Sequence, residues 1–472
     1  MAFQNNNFLY NNVSLTKDII KDLLSNNPEE IVGLVEKNIN NSGNLIFILE
    51  SFGHIPKTID LSFLVNLTMH ENESVRFLAV KNLGKLKSKV FLNLFYVIYE
   101  NDKSTKVKRE AVSSIGRIKQ DDIIPNLITI LQNSDPKIVC QAIRGLLPYK
   151  QNSYVEVALK GLIDHENEMV RAVIEKEFYA KKIKSVDALK HPVSYKFLQN
   201  VAVEGDVRNI LSLVPDNSIH LTFTSPPYYN ARDYSIYPSY EAYLDFLSEV
   251  FQEVHRATKE GRFLIVNTSP VIVPRISRAH SSKRYPIPFD LHARLVNMGW
   301  EFIDDIVWMK PEYSVKNRVG GFQQHRKPLA YKPNAVTEYL MVYRKKTDKL
   351  LDWNIHQYSN EIVANSKVES DFETTNVWAI NPKSDKVHSA VFPEELCERV
   401  IKYYSYIGDL LFDPFAGSGT FGRTAAKLNR KFFLAEQDHT YFEYIQSNMR
   451  NENVNKDFSF LTFDEFKESI KL

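Results

Sequence analysis

The chain's 472 residues exceed what one hydrophobic core organises comfortably, so two or three domains are expected. Apolar residues at 44% and charged residues at 25% are the proportions of an ordinary globular protein. A formal net charge of +2 excludes a global field as the source of any nucleic-acid affinity, which must come from local basic patches.

The first residues, Met1-Ala2-Phe3-Gln4 followed by asparagines, lack the basic flank and apolar run of a signal peptide. No apolar stretch reaches membrane-spanning length, so the expected location is the cytoplasm, with no membrane partner. Cys140 and Cys397 lie far apart, which argues against a disulfide framework or a zinc site. His165, His191 and His388 show no metal-ligand spacing either.

From about residue 15 to 190 a helical pattern repeats. Val75, Val107, Ile138 and Val170 open similar helices at separations of 32, 31 and 32 residues. Ala79, Ala111, Ala142 and Ile174 follow four residues on, then Leu83, Ile115, Leu146 and Phe178. Spacings of four and eight put the three rows on one helix face. Polar turns at 70–74, 102–105, 133–136 and 164–168 supply capping residues. Second helices lie between them, such as 123–131 with Pro125 near its first turn. The array resembles HEAT-like repeats of shortened period. Such a solenoid presents an elongated surface to DNA or to a protein such as a cognate restriction endonuclease, the alternative being a rigid spacer.

This all-α domain, 1–190, ends at a junction of about 181–192, and a second domain, 191–472, follows. Its pattern alternates: strand 197–203, helix 207–213, strand 219–223, helix 240–258, strand 263–267, helix 289–298, and strands 302–309 and 338–344. Residues 345–385 have little periodicity and read as an irregular insertion. A helix to about 406, strand 410–412, a helix to 428 and strand 431–435 complete the pattern. Alternation of this kind signals an α/β domain with a mostly parallel, doubly wound sheet.

Two strand ends carry chemistry. The run Ile219-His220-Leu221-Thr222-Phe223 leads into Thr224-Ser225-Pro226-Pro227-Tyr228, where two prolines stop the strand and hold an extended turn with free carbonyls. Open α/β sheets bind ligands at that end. A hydroxyl, carbonyls and an aromatic face can hold a planar amino-bearing ring such as a nucleobase. The second is Asp413-Pro414-Phe415-Ala416-Gly417-Ser418-Gly419-Thr420, where glycines permit a tight turn and close ligand approach. Glu436, at the end of the next strand, can take both hydroxyls of a ribose. With no P-loop lysine and no basic residue in the loop, a nucleoside-bearing cofactor is favoured over a phosphate-bearing one.

These motifs resemble those of amino-group DNA methyltransferases of the β arrangement, in which the catalytic motif precedes the cofactor loop. Glu204-Gly205-Asp206, the stretch from His388 to Leu396, and Arg344-Lys345 after Glu338-Tyr339 match as well, and the resemblance covers about residues 195–450. It implies a circularly permuted, Rossmann-like fold that uses S-adenosylmethionine (AdoMet). It also implies that Asp206 holds the adenine amine, Glu436 the ribose, and Asp413, Phe415, Gly417 and Gly419 the methionine end. Phe392 and Pro393 would cover the cofactor, with Thr224, Ser418 and Thr420 also lining its site. Taken alone, Asp206 reads equally as a helix cap and the glycines as turn residues.

An exocyclic amine is a poor nucleophile because its lone pair is delocalised. Ser225 and the Pro226 carbonyl can accept its hydrogens and aim the lone pair, so that catalysis is positioning and charge placement. With Pro227 they make the catalytic set, and Tyr228 would stack on a base flipped from the duplex. Carbon-5 chemistry needs a thiolate in a loop, which neither cysteine supplies. By resemblance Ser225 points to cytosine N4, since adenine-N6 enzymes usually carry Asp or Asn there; adenine N6 is the alternative. The expected setting is a restriction–modification or related defence system. The competing reading is a scaffold whose second half only senses AdoMet.

Residues 310–346 hold nine Lys or Arg against two acids, Glu312 and Glu338. Lys310, Arg318, Arg326 and Lys327 there, with Arg275, Arg278, Lys283 and Arg284 in an earlier loop, are expected to meet the phosphates of double-stranded DNA. Gly320-Gly321 frees one loop to enter a groove, and base reading is expected within about 310–385.

Overall fold

The computed structural model describes residues 9–10, 13–56, 59–179, 190–229, 237–273, 277, 279–280, 282–329, 331–383, 391–451 and 458–470. It divides into two compact units, Met1–Ile183 and Lys184–Leu472.

The first unit is a stack of helix pairs. The repeated helices are Glu73–Lys85, Thr105–Ile118, Pro136–Leu146 and Glu168–Ile174, capped by the side chains of Asn72, Ser104, Asp135 and Asn167. Val75, Ala79, Leu83, Val107, Ala111, Ile115, Ile138, Ala142, Leu146, Val170 and Ile174 are all buried in one core, as the periodicity requires. Small residues let neighbouring helices meet: a Cβ on Gly116 would lie 2.9 Å from Gly145 Cα. Arg76 reaches into the next turn and donates to Asp102 at 2.8 Å, both side chains being buried.

The second unit is built on a nine-stranded sheet. In chain order its strands are β1 (Val201–Glu204), β2 (Ile219–Thr224), β3 (Thr258–Thr268), β4 (Trp300–Met309), β5 (Thr337–Lys345), β6 (Val377–Ala379), β7 (Leu410–Asp413), β8 (Lys431–Glu436) and β9 (Ser459–Thr462). Their spatial order is β6-β4-β5-β3-β2-β7-β8-β1-β9. All neighbours pair parallel except at β5, which runs antiparallel to both β3 and β4. Helices Val207–Ser212, Tyr240–Ala257 and Ile287–Asn297 cover one face, and Glu394–Tyr404, Thr420–Lys427 and His439–Asn451 the other.

Three elements differ from the sequence expectation. Of the strand expected over 197–203, the first part is a 3-10 turn, Lys196–Leu198, and Asn200 at φ +60 precedes β1. The insertion at 345–385 contains helices Leu351–Ile355 and Asn360–Asn365 and the edge strand β6, whose register sets Trp378 beside Trp308. The sheet also extends past residue 450 to β9, which adds to β1. The junction residues 181–189 lie outside the described residues.

Candidate functional site

Strands β2 and β7 are neighbours, with Leu411 beside Leu221 and Phe412 beside Thr222. Their motifs, 189 residues apart in sequence, therefore leave the sheet side by side. Thr224 Oγ1 donates to Asp413 Oδ1 at 2.6 Å, and the Phe415 N–H donates to the same oxygen at 3.1 Å. Burial pushes the Asp413 carboxyl up to about 7. Gly419 holds φ +71, and a Cβ there would stand 3.1 Å from Ile445, so the turn is strained for any other residue. The Gly417 N–H donates to Glu436 Oε2 at 2.7 Å and the Asp438 N–H to Oε1 at 2.9 Å. Burial pushes Glu436 up to about 7 as well.

The Gly205 N–H bonds the Glu436 carbonyl at 2.9 Å, bringing the Asp206 turn to the same end of the sheet. Asp206 caps the helix Val207–Ser212, accepting from the Arg208 N–H at 2.9 Å. The Arg208 guanidinium clamps it and holds its carboxyl below the usual value. Ser418 and Thr420 are buried with hydroxyls 3.0 Å apart. Phe392 stacks on Phe223 at 4.5 Å, and Pro393 immediately precedes the helix that follows. The ends of β7, β8 and β1 thus assemble two buried carboxyls, glycine backbone and an aromatic wall. Hydroxyl donors on a ligand and a nearby cationic group would favour the ionised form of those carboxyls.

The other half of the site gathers around Glu338, which the sequence offers as an acid in a basic stretch and as part of the Glu338-Tyr339 match, with no role in the site. Because β5 runs opposite to its neighbours, its first residues lie where β3 and β4 end: Trp308 is beside Glu338, and Thr268 beside Tyr339. Glu338 Oε2 accepts from Asn267 Nδ2 at 2.6 Å and from the Tyr228 hydroxyl at 3.2 Å. Asn267 Nδ2 also reaches Ser225 Oγ at 3.4 Å. Lys310 pairs with the other oxygen of Glu338 and lies 4.3 Å over the Trp308 ring. Burial, then the Glu338 charge, raises the Tyr228 hydroxyl well above its ordinary value. Pro226 is buried, while Ser225, Pro227 and Tyr228 are half-buried. The structure therefore places Lys310, expected at a phosphate, inside this network.

Other cations lie around the same edge of the sheet. Lys283 and Arg284 are exposed on a hairpin, Val271–Val273 with Lys283–Tyr285, which packs beside the Ser225–Tyr228 turn through Tyr285 and Tyr229, rings 4.8 Å apart. Burial, then the charge of Arg284, lowers the Arg318 guanidinium from its ordinary value, so these two arginines are neighbours. Arg326 and Lys327 are exposed beyond the helix Gly320–His325. Arg275, Arg278 and His388 lie outside the described residues.

Neither cysteine is set for attack on a ring. Cys397 is buried in the core, where burial raises its thiol far above the ordinary value, and Cys140 is half-buried in a repeat helix. Among the described residues no cluster of side chains could hold a metal ion, and no helix is long and apolar enough to cross a membrane.

Residues 219–447 match the DNA methylase family, and residues 92–177 match HEAT repeats. The Type II beta methyltransferase M.BslI of Bacillus sp. (strain NEB-606) is 25% identical over 70% of this chain. The chain spans only 36% of that relative's length. The Type II methyltransferase M.ScaI of Streptomyces caespitosus is 30% identical over 48% of this chain and 73% of its own. A Thermus thermophilus protein described as a DNA modification methylase, crystallised with S-adenosyl-L-methionine, is 26% identical at a TM-score of 0.46, covering 56% of this chain and 98% of its own.

Proposed function

The chain belongs to the DNA methylase family, and from that premise we propose that it methylates the exocyclic N4 amine of cytosine in double-stranded DNA, with AdoMet as donor. The observation that carries the reading is the Thr224–Asp413 hydrogen bond, which joins the amine-binding turn to the glycine loop at adjacent strand ends. Asp413, Glu436, Gly417 and Gly419 are the residues that would hold the cofactor, with Phe392 as a wall. AdoMet supplies an electrophilic methyl carbon on a sulfonium.

The chain's own residues do the rest. Ser225 Oγ and the Pro226 carbonyl accept the two hydrogens of the amine, turning its lone pair out of the ring plane. Asn267 holds the Ser225 hydroxyl, and Glu338 fixes both Asn267 and Tyr228, so the acceptors are oriented before the base arrives. The Lys310 ammonium pairs with Glu338 and holds its carboxylate in place. Tyr228 offers its ring to the flipped base. Ser225, at the position where the resembled adenine-N6 enzymes usually carry Asp or Asn, supports cytosine as the target. The Type II designation of the relatives supports a restriction–modification setting.

Methyl-labelled AdoMet incubated with sequence-diverse duplex DNA tests the reading. Label in DNA is expected. Cofactor binding with no label in DNA would overturn it in favour of a scaffold that senses AdoMet.

A further inference from the structure

The arm between β4 and β5 leaves the sheet at the target side of the site and returns there. Its ends are closed by the Lys310 N–H, which donates to the Val336 carbonyl at 2.7 Å, and by the Lys310–Glu338 pair. Cross-braces hold it: the Arg318 N–H donates to Asn334 Oδ1 at 2.6 Å, and Asn334 Nδ2 donates to Glu312 Oε1 at 2.9 Å. Phe322 packs its ring edge-on to Tyr331 at 5.2 Å.

On this braced arm stands Leu329, whose exposure of 104% is that of a side chain touching nothing. Its backbone is at φ +65, the left-handed region that residues with a Cβ avoid. An isolated exposed leucine is ordinary, but one held out on a strained backbone within a braced arm calls for a ligand. Its surroundings are those of a DNA surface: Arg326 and Lys327 are exposed just before it, and Lys332 reaches Ser282 Oγ of the basic hairpin at 3.5 Å.

We propose that Leu329 is an apolar wedge that enters the duplex where the target base leaves, filling the gap in the stack while the base occupies the site beside Ser225 and Tyr228. The inference rests on the methyltransferase reading above. Extraction of a base unstacks its neighbours, and apolar side chains inserted between base steps offset that loss. The arm is rooted at Glu338, so insertion of its tip and seating of the base are coupled through the bonds that brace it.

The test compares Leu329→Ala with the unsubstituted protein on two duplexes. Both carry the sequence the unsubstituted protein methylates in genomic DNA; in one the target base is paired, in the other it faces an abasic site and needs no extraction. The expected result is a loss of roughly tenfold or more in kcat/KM on the paired duplex, a loss of less than threefold on the abasic one, and recovery with Leu329→Met. Equal losses on both duplexes, or none on either, overturn the wedge. A changed oligomeric state of the DNA-free variant would assign Leu329 to a protein contact and also overturn it. If the unsubstituted protein methylates neither genomic DNA nor duplex, the methyltransferase reading itself fails, and the wedge with it.

Discussion

Glu338→Ala separates the two halves of the site. The substitution removes one acceptor each of Asn267 and Tyr228 and leaves the Lys310 ammonium, 17% exposed, without its carboxylate. A hydrogen bond to a charged group contributes about 1.5–3 kcal/mol. With partial exposure discounted and two bonds lost, about 3 kcal/mol of transition-state positioning disappears, roughly two orders of magnitude in kcat. Cofactor affinity should stay within about twofold, because the groups around Glu436 and Gly417 do not touch this network. Glu338→Gln keeps an acceptor oxygen but not the charge, and should fall between. Single-turnover methyl transfer, together with an AdoMet titration of each variant, reads both quantities. A folded Glu338→Ala protein whose kcat stays within threefold of the unsubstituted protein would refute the positioning role, as would a parallel loss of cofactor affinity.

Three further outcomes follow from the same geometry. Asp413 and Glu436 are raised by burial from 3.8 and 4.5 to about 7. A raised carboxyl contributes stability that is complete below its ordinary value and lost as pH climbs through 7. The melting temperature of the ligand-free protein should therefore fall between pH 5 and 8 while the stabilisation by AdoMet grows; a pH-independent AdoMet shift contradicts the assignment. Asp102→Ala strands the buried Arg76 guanidinium and should cost the repeat unit about 3–5 kcal/mol in a calorimetric scan, and a loss below about 1 kcal/mol would show the pair to be dispensable. Arg284→Ala with Arg318→Ala should lower the slope of log affinity against log salt for duplex DNA by about 2, and an unchanged slope would remove these residues from the phosphate contacts.

The features legible in the sequence were those whose cause is local. Alanines and β-branched residues recurring at four and eight announce a buried helix face, and Pro226-Pro227 and Gly417–Gly419 mark turns by their backbone chemistry alone. Fully buried parallel strands such as β2 and β7 read as apolar runs for the same reason. What stayed hidden depends on partners distant in the chain. Glu338 sits at the start of a strand, and only the antiparallel course of β5 brings it to the end of the sheet where β3 and β4 finish. Lys310 looked like a phosphate contact because nothing within 28 residues of sequence foretells its carboxylate. β6 and β9 are edge strands of three and four residues, too short for periodicity to show; pairing with β4 and β1 defines them.

The central claim is that the Ser225 turn presents a cytosine amine for methyl transfer. It is tested most directly by digesting DNA methylated by the protein to nucleosides and identifying the product by mass spectrometry. The account predicts N4-methylcytosine, lost on Ser225→Ala; N6-methyladenine as the product would contradict it.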